Sequence, residues 1–112
     1  MKQDIIIIGA GPAGLSFARE MAETGLKITL IEKQSEDILA DPPYDGREIA
    51  LTHFSRKIMR DLGLWDHLSE NSISLLRKAK VLNGNSPYTL SFDHHEAGEE
   101  TLGFLVSNNR IR

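Results

Sequence analysis

Three glycines near the start of the chain, Gly9, Gly11 and Gly14, have the G-x-G-x-x-G spacing of a loop that holds a dinucleotide pyrophosphate. In such a loop, Gly9 makes a tight turn from strand to helix, Gly11 lets the backbone approach the phosphates, and Gly14 lets helix and strand pack closely. The following helix would point its N-terminal N–H groups and positive dipole end at the phosphates. The spacing therefore predicts a phosphate-binding loop.

The acidic residue Glu32 strengthens this interpretation. It follows the apolar run Ile28–Ile31 and lies 18 residues beyond Gly14. A carboxylate at about this distance accepts hydrogen bonds from the ribose hydroxyls of the adenosine half. The alternative is a glycine-rich turn that binds nothing, and the flanking strand and helix patterns argue against it.

The loop needs a strand before it and an amphipathic helix after it, and the sequence provides both. Residues 4–8 include an unbroken isoleucine run, which is typical of a buried strand. Pro12 falls in the first helical turn, where its missing N–H costs nothing, and Leu15 and Ala18 share one helical face. A second strand over residues 27–31 completes a right-handed βαβ unit.

The rest of the chain alternates between turn formers and apolar segments. Residues 34–46 are dense in turn-forming types, which predicts an irregular loop. Helical spacing from Phe54 to Leu62 predicts a helix that Gly63 closes. Further strands are predicted at residues 80–82, 88–92 and 102–106. The expected fold class is therefore α/β: a Rossmann-like βαβ domain, incomplete, with a small β-hairpin excursion.

Length and composition restrict the function classes. The 112 residues fit one domain, and 40% hydrophobic with 26% charged residues is typical of a globular chain. The net charge of -3, with scattered Lys and Arg, argues against a nucleic-acid partner. The absence of cysteine excludes disulfides, thiolate catalysis and cysteine-based zinc sites. The sequence contains no apolar run of the roughly 20 residues that span a bilayer, and a cytoplasmic location is the default expectation.

Two sets of polar residues could have a chemical role, but their sequence pattern does not favour one. His94 and His95, with acids nearby, resemble metal ligands, but adjacent strand residues point to opposite faces, which favours a solvated loop. Four acids are interpreted as a solvated loop rather than an acid-base pair, namely Glu36, Asp37, Asp41 and Asp45. Trp65 lies among leucines and is expected in the core, and His53 is expected at a surface or helix start. We assign no catalytic residue and no metal ligand.

The sequence as a whole resembles the flavin-dependent aromatic hydroxylases, and in particular their ubiquinone-biosynthesis branch. The resemblance rests on residues 6–15, 31–33, 47–65 and 103–112, and so covers essentially the whole chain. The first two segments are shared by many flavoproteins, whereas the Arg-Glu-Ile-Ala-Leu and Leu-Gly-Leu-Trp segments and the last segment point to the ubiquinone branch.

The resemblance implies that the chain binds FAD. In such hydroxylases NAD(P)H reduces the flavin, which then reacts with O2 to hydroxylate an activated ring, here a prenylated phenol or benzoquinol. The implied pyrophosphate contacts are Gly9, Gly11, Pro12, Ala13 and Gly14. Glu32 would contact the adenosine ribose, Lys33 would lie beside the adenine, and Arg47 would direct its forked charge at the cofactor. Asn108 stands where many relatives have a further FAD-contacting arginine; its amide can still donate to a hydroxyl or phosphate.

The family also has a second FAD motif and a substrate-covering sheet, which residues 1–112 do not contain. We therefore expect this chain to be the N-terminal part of an FAD-binding domain, which alone binds FAD weakly or not at all and has no hydroxylase activity. Self-association is expected because an incomplete sheet exposes an unpaired edge and an apolar face, and membership of a ubiquinone-biosynthesis assembly is the alternative expectation. Two alternatives stay open: another FAD-dependent oxidoreductase of the amine oxidase or prenyl reductase type, and a non-catalytic scaffold.

Overall fold

The computed structural model describes residues 2–112, which form seven strands and five helices in that part of the chain. The strands are β1 (Ile5–Ile8), β2 (Ile28–Ile31), β3 (Glu48–Leu51), β4 (Ile73–Leu76), β5 (Lys78–Leu82), β6 (Thr89–Asp93) and β7 (Gly103–Ser107). The helices are α1 (Pro12–Glu20), α2 (Glu36–Ala40), α3 (His53–Asp61), α4 (His94–Ala97) and α5 (Asn108–Ile111). Two short 3₁₀ turns, Trp65–His67 and Glu70–Ser72, follow α3.

The predicted βαβ unit is present and carries the glycine loop. Strands β1 and β2 pair in parallel, with Ile5 opposite Ile28 and Ile8 opposite Ile31. The Gly9 N–H continues this ladder by donating to the Ile31 carbonyl at 2.8 Å. The loop therefore leaves the sheet directly beside the end of β2, where the acid Glu32 follows.

A second, antiparallel sheet has the order β3-β7-β4, with β7 in the middle. The central strand is the most buried part of the chain because both of its edges are paired: Val106 is 0% exposed and Phe104 is also buried. Gly103 permits the close pairing with β3, since a Cβ there would collide with the Leu51 carbonyl oxygen. This sheet supports α5, which begins immediately after β7.

Four elements differ from the sequence-based expectation, and one of them is helix α4, which replaces the solvated loop expected at His94 and His95. Strands β3 and β4 were not predicted; each has only four residues and is defined by its pairing with β7, a contact that local sequence does not reveal. The expected loop over residues 34–46 contains the short helix α2. The hairpin of β5 and β6 is confirmed, with Lys78 opposite Asp93, and its turn includes Gly84 at φ +52°.

The hydrophobic core is small. Its buried apolar residues are Ala10, Trp65, Phe104 and Val106. Trp65 packs edge-on against Phe104 with ring centroids 5.5 Å apart, which confirms its predicted place in the core. The Cα radius of gyration is 17.7 Å, well above the roughly 13 Å of a compact chain of this length. Within residues 2–112, every helix is too short or too polar to cross a bilayer.

Candidate cofactor-binding site

The glycine loop has the geometry that its three glycines were predicted to provide. Gly9 has φ +103°, a conformation that side chains with a Cβ rarely adopt. A Cβ on Gly14 would collide with the Gly9 carbonyl oxygen and lie 3.2 Å from Cγ2 of Ile7, so α1 can sit against β1 only without one. A Cβ on Gly11 would meet nothing within 4 Å among the described residues, which leaves open space on that side of the loop.

The start of α1 is suited to an anion. Gly11 is the N-cap residue with extended backbone (φ −77°, ψ 177°), and no side chain of residues 2–112 caps the helix. Pro12 occupies the first helical position, so it removes a donor that would have no helical partner, and Ala13 and Pro12 are both exposed. The N–H groups of the first turn therefore face the open space beside Gly11, as a diphosphate requires.

Glu32 is held against the loop by backbone donors. Its Oε2 accepts from the Ala10 N–H at 2.7 Å, and its Oε1 accepts from the N–H groups of Lys33 at 2.7 Å and Gln34 at 2.9 Å. These bonds, that from Gln34 first and then that from Ala10, lower the pKa of Glu32 below its ordinary value. A carboxylate has about four acceptor positions, so an ionised Glu32 retains capacity for a ribose hydroxyl. The Lys33 side chain is exposed beside it.

A second group, which we call the Asp45 cluster, consists of Asp45, Arg47 and Asn108. The Arg47 guanidinium donates to Asp45 Oδ2 through Nε at 2.8 Å and Nη2 at 2.6 Å. Asn108 Nδ2 donates to the same oxygen at 2.8 Å, and the Asn108 backbone N–H donates to the Arg47 carbonyl at 2.8 Å. Two residues predicted separately as cofactor contacts are thus brought together by one carboxylate.

The electrostatics of the Asp45 cluster keep that carboxylate ionised. Hydrogen bonds from the Arg47 side chain, then from its backbone N–H and from Asn108, lower the pKa of Asp45 to about 2. The Asp45 side chain is 32% exposed and that of Arg47 is 65% exposed, whereas Asn108 is only 8% exposed. The cluster therefore has a buried amide on one side and a solvent-facing cation on the other.

The C-terminal residues connect the two groups. Arg112 Nη2 donates to Oε1 of Gln34 at 2.7 Å, and its charge contributes to the lowered pKa of Glu32. Residues of α5 and Arg112 also line a cavity of about 620 Å³ together with Pro12 and Ala13. The glycine loop, the Glu32 segment and the end of the chain thus lie around one region of the molecule.

Three residues of this region were missed or given another role in the sequence analysis. The sequence pattern predicts a solvated loop for Asp45 and indicates no role for Gln34 or Arg112. Their roles depend on partners 63 residues apart for Asp45 with Asn108 and 78 residues apart for Gln34 with Arg112. The one local signal was the Asp-Gly-Arg sequence, in which an acid and its cation are two residues apart.

The histidine pair is placed apart from this region by its own contacts. Ligand atoms of Asp93, His94 and His95 lie within 4.8 Å of one another. Asp93 is already used structurally, since it accepts from the His95 N–H at 3.0 Å and pairs with Lys78 at 3.2 Å. These residues begin a short helix rather than a strand or an irregular loop, because Asp93 caps α4.

His53 begins α3, as expected for a helix-start histidine. Its Nε2 forms a hydrogen bond with the Thr101 carbonyl at 2.7 Å, and its ring packs edge-on against Phe104. It therefore joins α3 to the segment before β7.

Comparison with known proteins agrees with this geometry. A family profile described as "FAD binding domain" matches residues 2–103. The ubiquinone hydroxylase UbiM of Neisseria meningitidis is 58% identical over 116 aligned positions, which cover 100% of this chain and 25% of that protein. The ubiquinone hydroxylase UbiL of Rhodospirillum rubrum is 31% identical over 97% of this chain and 25% of its own length. A digeranylgeranylglycerophospholipid reductase of Methanothrix thermoacetophila is 36% identical over 54% of this chain.

The chain spans about a quarter of the length of the two ubiquinone hydroxylases. The family match covers the βαβ unit, the Glu32 segment and the Arg47 segment, and confirms the expected cofactor, FAD, and the Rossmann-like fold class. The glycine loop, with its open space and uncapped helix start, fits the pyrophosphate of that cofactor. By sequence and by the geometry of this loop, the chain belongs to the FAD-binding domain family.

Proposed function

We propose that this chain is the N-terminal, FAD-binding part of a monooxygenase that hydroxylates a prenylated phenol or benzoquinol intermediate of ubiquinone biosynthesis, with NAD(P)H and O2 as co-substrates. The observation that carries the proposal is the 58% identity to a ubiquinone hydroxylase over the whole of this chain. The flavin provides the redox chemistry when bound, and the residues described here bind and orient it.

The binding residues are part of the proposal. Gly9, Gly11, Pro12, Ala13 and Gly14 surround the pyrophosphate. Glu32 accepts from the adenosine ribose and Lys33 lies beside the adenine. Arg47 and Asn108 contact the cofactor from the Asp45 cluster. The open space beside Gly11 and the spare acceptor capacity of Glu32 support these assignments.

The competing enzyme class is a prenyl reductase, which shares the glycine loop. Two archaeal reductases are 36% identical over 54% of this chain and 27% identical over 96% of it, whereas the Neisseria ubiquinone hydroxylase is 58% identical over the whole of it. The higher identity to the Neisseria enzyme over the whole chain favours the hydroxylase over a reductase. A scaffold without cofactor is disfavoured by the uncapped start of α1 and the open space beside Gly11, which a phosphate would fill.

A chimeric enzyme tests the proposed reaction. Residues 1–112 replace the aligned quarter of the Neisseria ubiquinone hydroxylase, and the chimera is expressed in a bacterial strain that lacks its own hydroxylase for the same ring position. We expect restored ubiquinone content, measured by chromatography of extracted quinones. The matched control is the chimera with Gly14→Val, which we expect to lose flavin and ubiquinone together. A folded chimera that holds flavin but restores no ubiquinone would contradict the proposal.

Location and association belong to the same proposal. We place the enzyme in the cytoplasm, with access to the membrane surface where prenylated substrates reside. Self-association, or binding within a biosynthetic assembly, is supported by large apolar side chains that are exposed in the described chain, including Ile8, Phe54, Leu82 and Tyr88. Sedimentation velocity at increasing concentration tests self-association, and a strictly monomeric profile would count against it.

A further inference from the structure

The Asp45 carboxylate accepts four hydrogen bonds, three from Arg47 and one from Asn108. Its Oδ2 accepts from Arg47 Nε and Nη2 and from Asn108 Nδ2, and its Oδ1 accepts from the Arg47 backbone N–H at 3.1 Å. We propose that Asp45 is a positioning residue that fixes Arg47 and Asn108 in the orientation in which they contact FAD. This inference rests on the proposed function for the roles of those two residues.

The way Arg47 is held leaves it able to bind a ligand. A guanidinium has five N–H donors in a planar fork, and Asp45 uses the edge formed by Nε and Nη2. The Nη1 side of the fork stays available, and the side chain is 65% exposed. A second anion can therefore approach the opposite edge without breaking the existing pair. The guanidinium plane of Arg47 is therefore already oriented before FAD binds.

The orientation of the Asn108 amide is set by the same carboxylate. Because Nδ2 donates to Asp45, Oδ1 occupies the other branch of the side chain, where it can accept from a ligand, and the second N–H of Nδ2 can still donate. An acceptor suits the ribityl or ribose hydroxyls of FAD better than its phosphates. With Asn108 only 8% exposed, its side chain has little freedom to turn. Asp45 therefore orients Asn108 so that its Oδ1 suits a hydroxyl of FAD, and orients Arg47 so that the free edge of its guanidinium suits an anionic group.

A rival interpretation gives the opposite prediction. The carboxylate neutralises Arg47, so it could act only as a competing anion whose removal strengthens FAD binding. The geometry favours positioning, because three donors from two segments that are distant in sequence converge on a single oxygen. Freeing two side chains that must be ordered again on binding weakens affinity, and we expect this loss to exceed the gain in attraction.

The test is an NMR titration of the whole 112-residue chain with FAD, which detects binding up to millimolar dissociation constants. We expect Asp45→Asn to raise the Kd for FAD by about tenfold, the loss that corresponds to reordering the two side chains. The matched control is Asp41→Asn, which removes the same charge from the same loop and should change the Kd less than about twofold. Thermal unfolding distinguishes positioning from a folding defect, since Asp45→Asn should leave the Tm close to that of the unmodified chain.

A double-mutant cycle provides the second readout. Lysine cannot donate to Asp45 Oδ2 from two N–H groups of one planar fork, so in the Arg47→Lys background Asp45→Asn should have less than half of its original effect on log Kd. Equal or tighter FAD binding by Asp45→Asn, or full additivity with Arg47→Lys, would overturn the inference.

Measurements without FAD separate this inference from the proposed function. In the unliganded chain, Asp45→Asn should shift the Arg47 Nε–H signal and broaden the Asn108 amide signals. If neither signal responds, the positioning role is refuted whatever the flavin does. If both respond but the shifts that FAD induces in the unmodified chain lie away from residues 9–14, Arg47 and Asn108, the proposed site is refuted and positioning by Asp45 is retained.

Discussion

The glycine loop and the Asp45 cluster serve the same proposed cofactor but are built in opposite ways. The loop is made of backbone, and its shape is enforced by the absence of Cβ atoms at Gly9 and Gly14. The Asp45 cluster is made of side chains, held by charge-assisted hydrogen bonds from Arg47 and Asn108 to one partly exposed carboxylate. Substitutions in the loop should therefore act through steric collision and backbone strain. Substitutions in the Asp45 cluster should act through loss of a charge or of a hydrogen-bond donor.

The largest expected effect lies at the closest contact of the loop. Gly14→Ala places a Cβ against the Gly9 carbonyl oxygen, which is backbone and cannot rotate away. We expect a loss of at least about 3 kcal/mol in the free energy of unfolding, because helix α1 must move off strand β1. Urea unfolding followed by circular dichroism measures it.

Gly11→Ala is the control for this collision. Its Cβ would meet open space, so it should cost less than about 1 kcal/mol, an amount that reflects only the change of N-cap residue. Equal destabilisation by the two variants would show that α1 and β1 are not packed as described.

Strain at the turn should produce the next largest effect. Gly9 has φ +103° and open space around its Cβ position, so Gly9→Ala isolates the conformational penalty from any collision. We expect a loss of about 2 kcal/mol in the free energy of unfolding. Gly25→Ala, at φ +76° in the turn before β2, is the comparison and should cost about half as much. A smaller loss at Gly9 than at Gly25 would indicate that the loop relaxes.

In the Asp45 cluster the effect should appear in cofactor affinity rather than in stability. Arg47→Ala removes a guanidinium that is 65% exposed, and we expect FAD affinity to fall by about tenfold with little change in Tm. Arg47→Lys keeps the charge without the fork and should give an intermediate affinity. Isothermal titration or NMR provides the Kd. An unchanged Kd for Arg47→Ala would remove Arg47 from the site.

The smallest effect concerns acid pH. The pKa of Asp45 is lowered to about 2 from an ordinary value of 3.8, so the cluster favours the ionised carboxylate. Its contribution to stability, which is small because both side chains are partly exposed, is fully present above about pH 4 and is lost as the pH falls toward 2. The glycine loop itself contains no titratable side chain. The Arg47 Nε–H signal should therefore change in this range, while a loss of it above pH 5 would contradict the ion pair.

The same difference explains how far the sequence could predict the molecule. Gly9, Gly14, Pro12 and the isoleucine run act on their immediate neighbours, so spacing alone predicted the βαβ unit and the loop. The family resemblance added Arg47 and Asn108 as contacts, but local pattern gave no sign that Asp45 joins them. Strands β3 and β4 were missed for the same reason. Each has only four residues, and each is a strand only because it pairs with β7.

The central claim is that the open face of the glycine loop holds the FAD pyrophosphate. An NMR titration of the 112-residue chain and of its Gly11→Ala variant with FAD tests this claim most directly. The account predicts backbone shifts concentrated at residues 9–14 and 32–34, and affinity at least about tenfold weaker in the variant, whose added methyl group fills the space that the phosphates need. Shifts confined to other parts of the chain, or equal affinity of the two proteins, would contradict it.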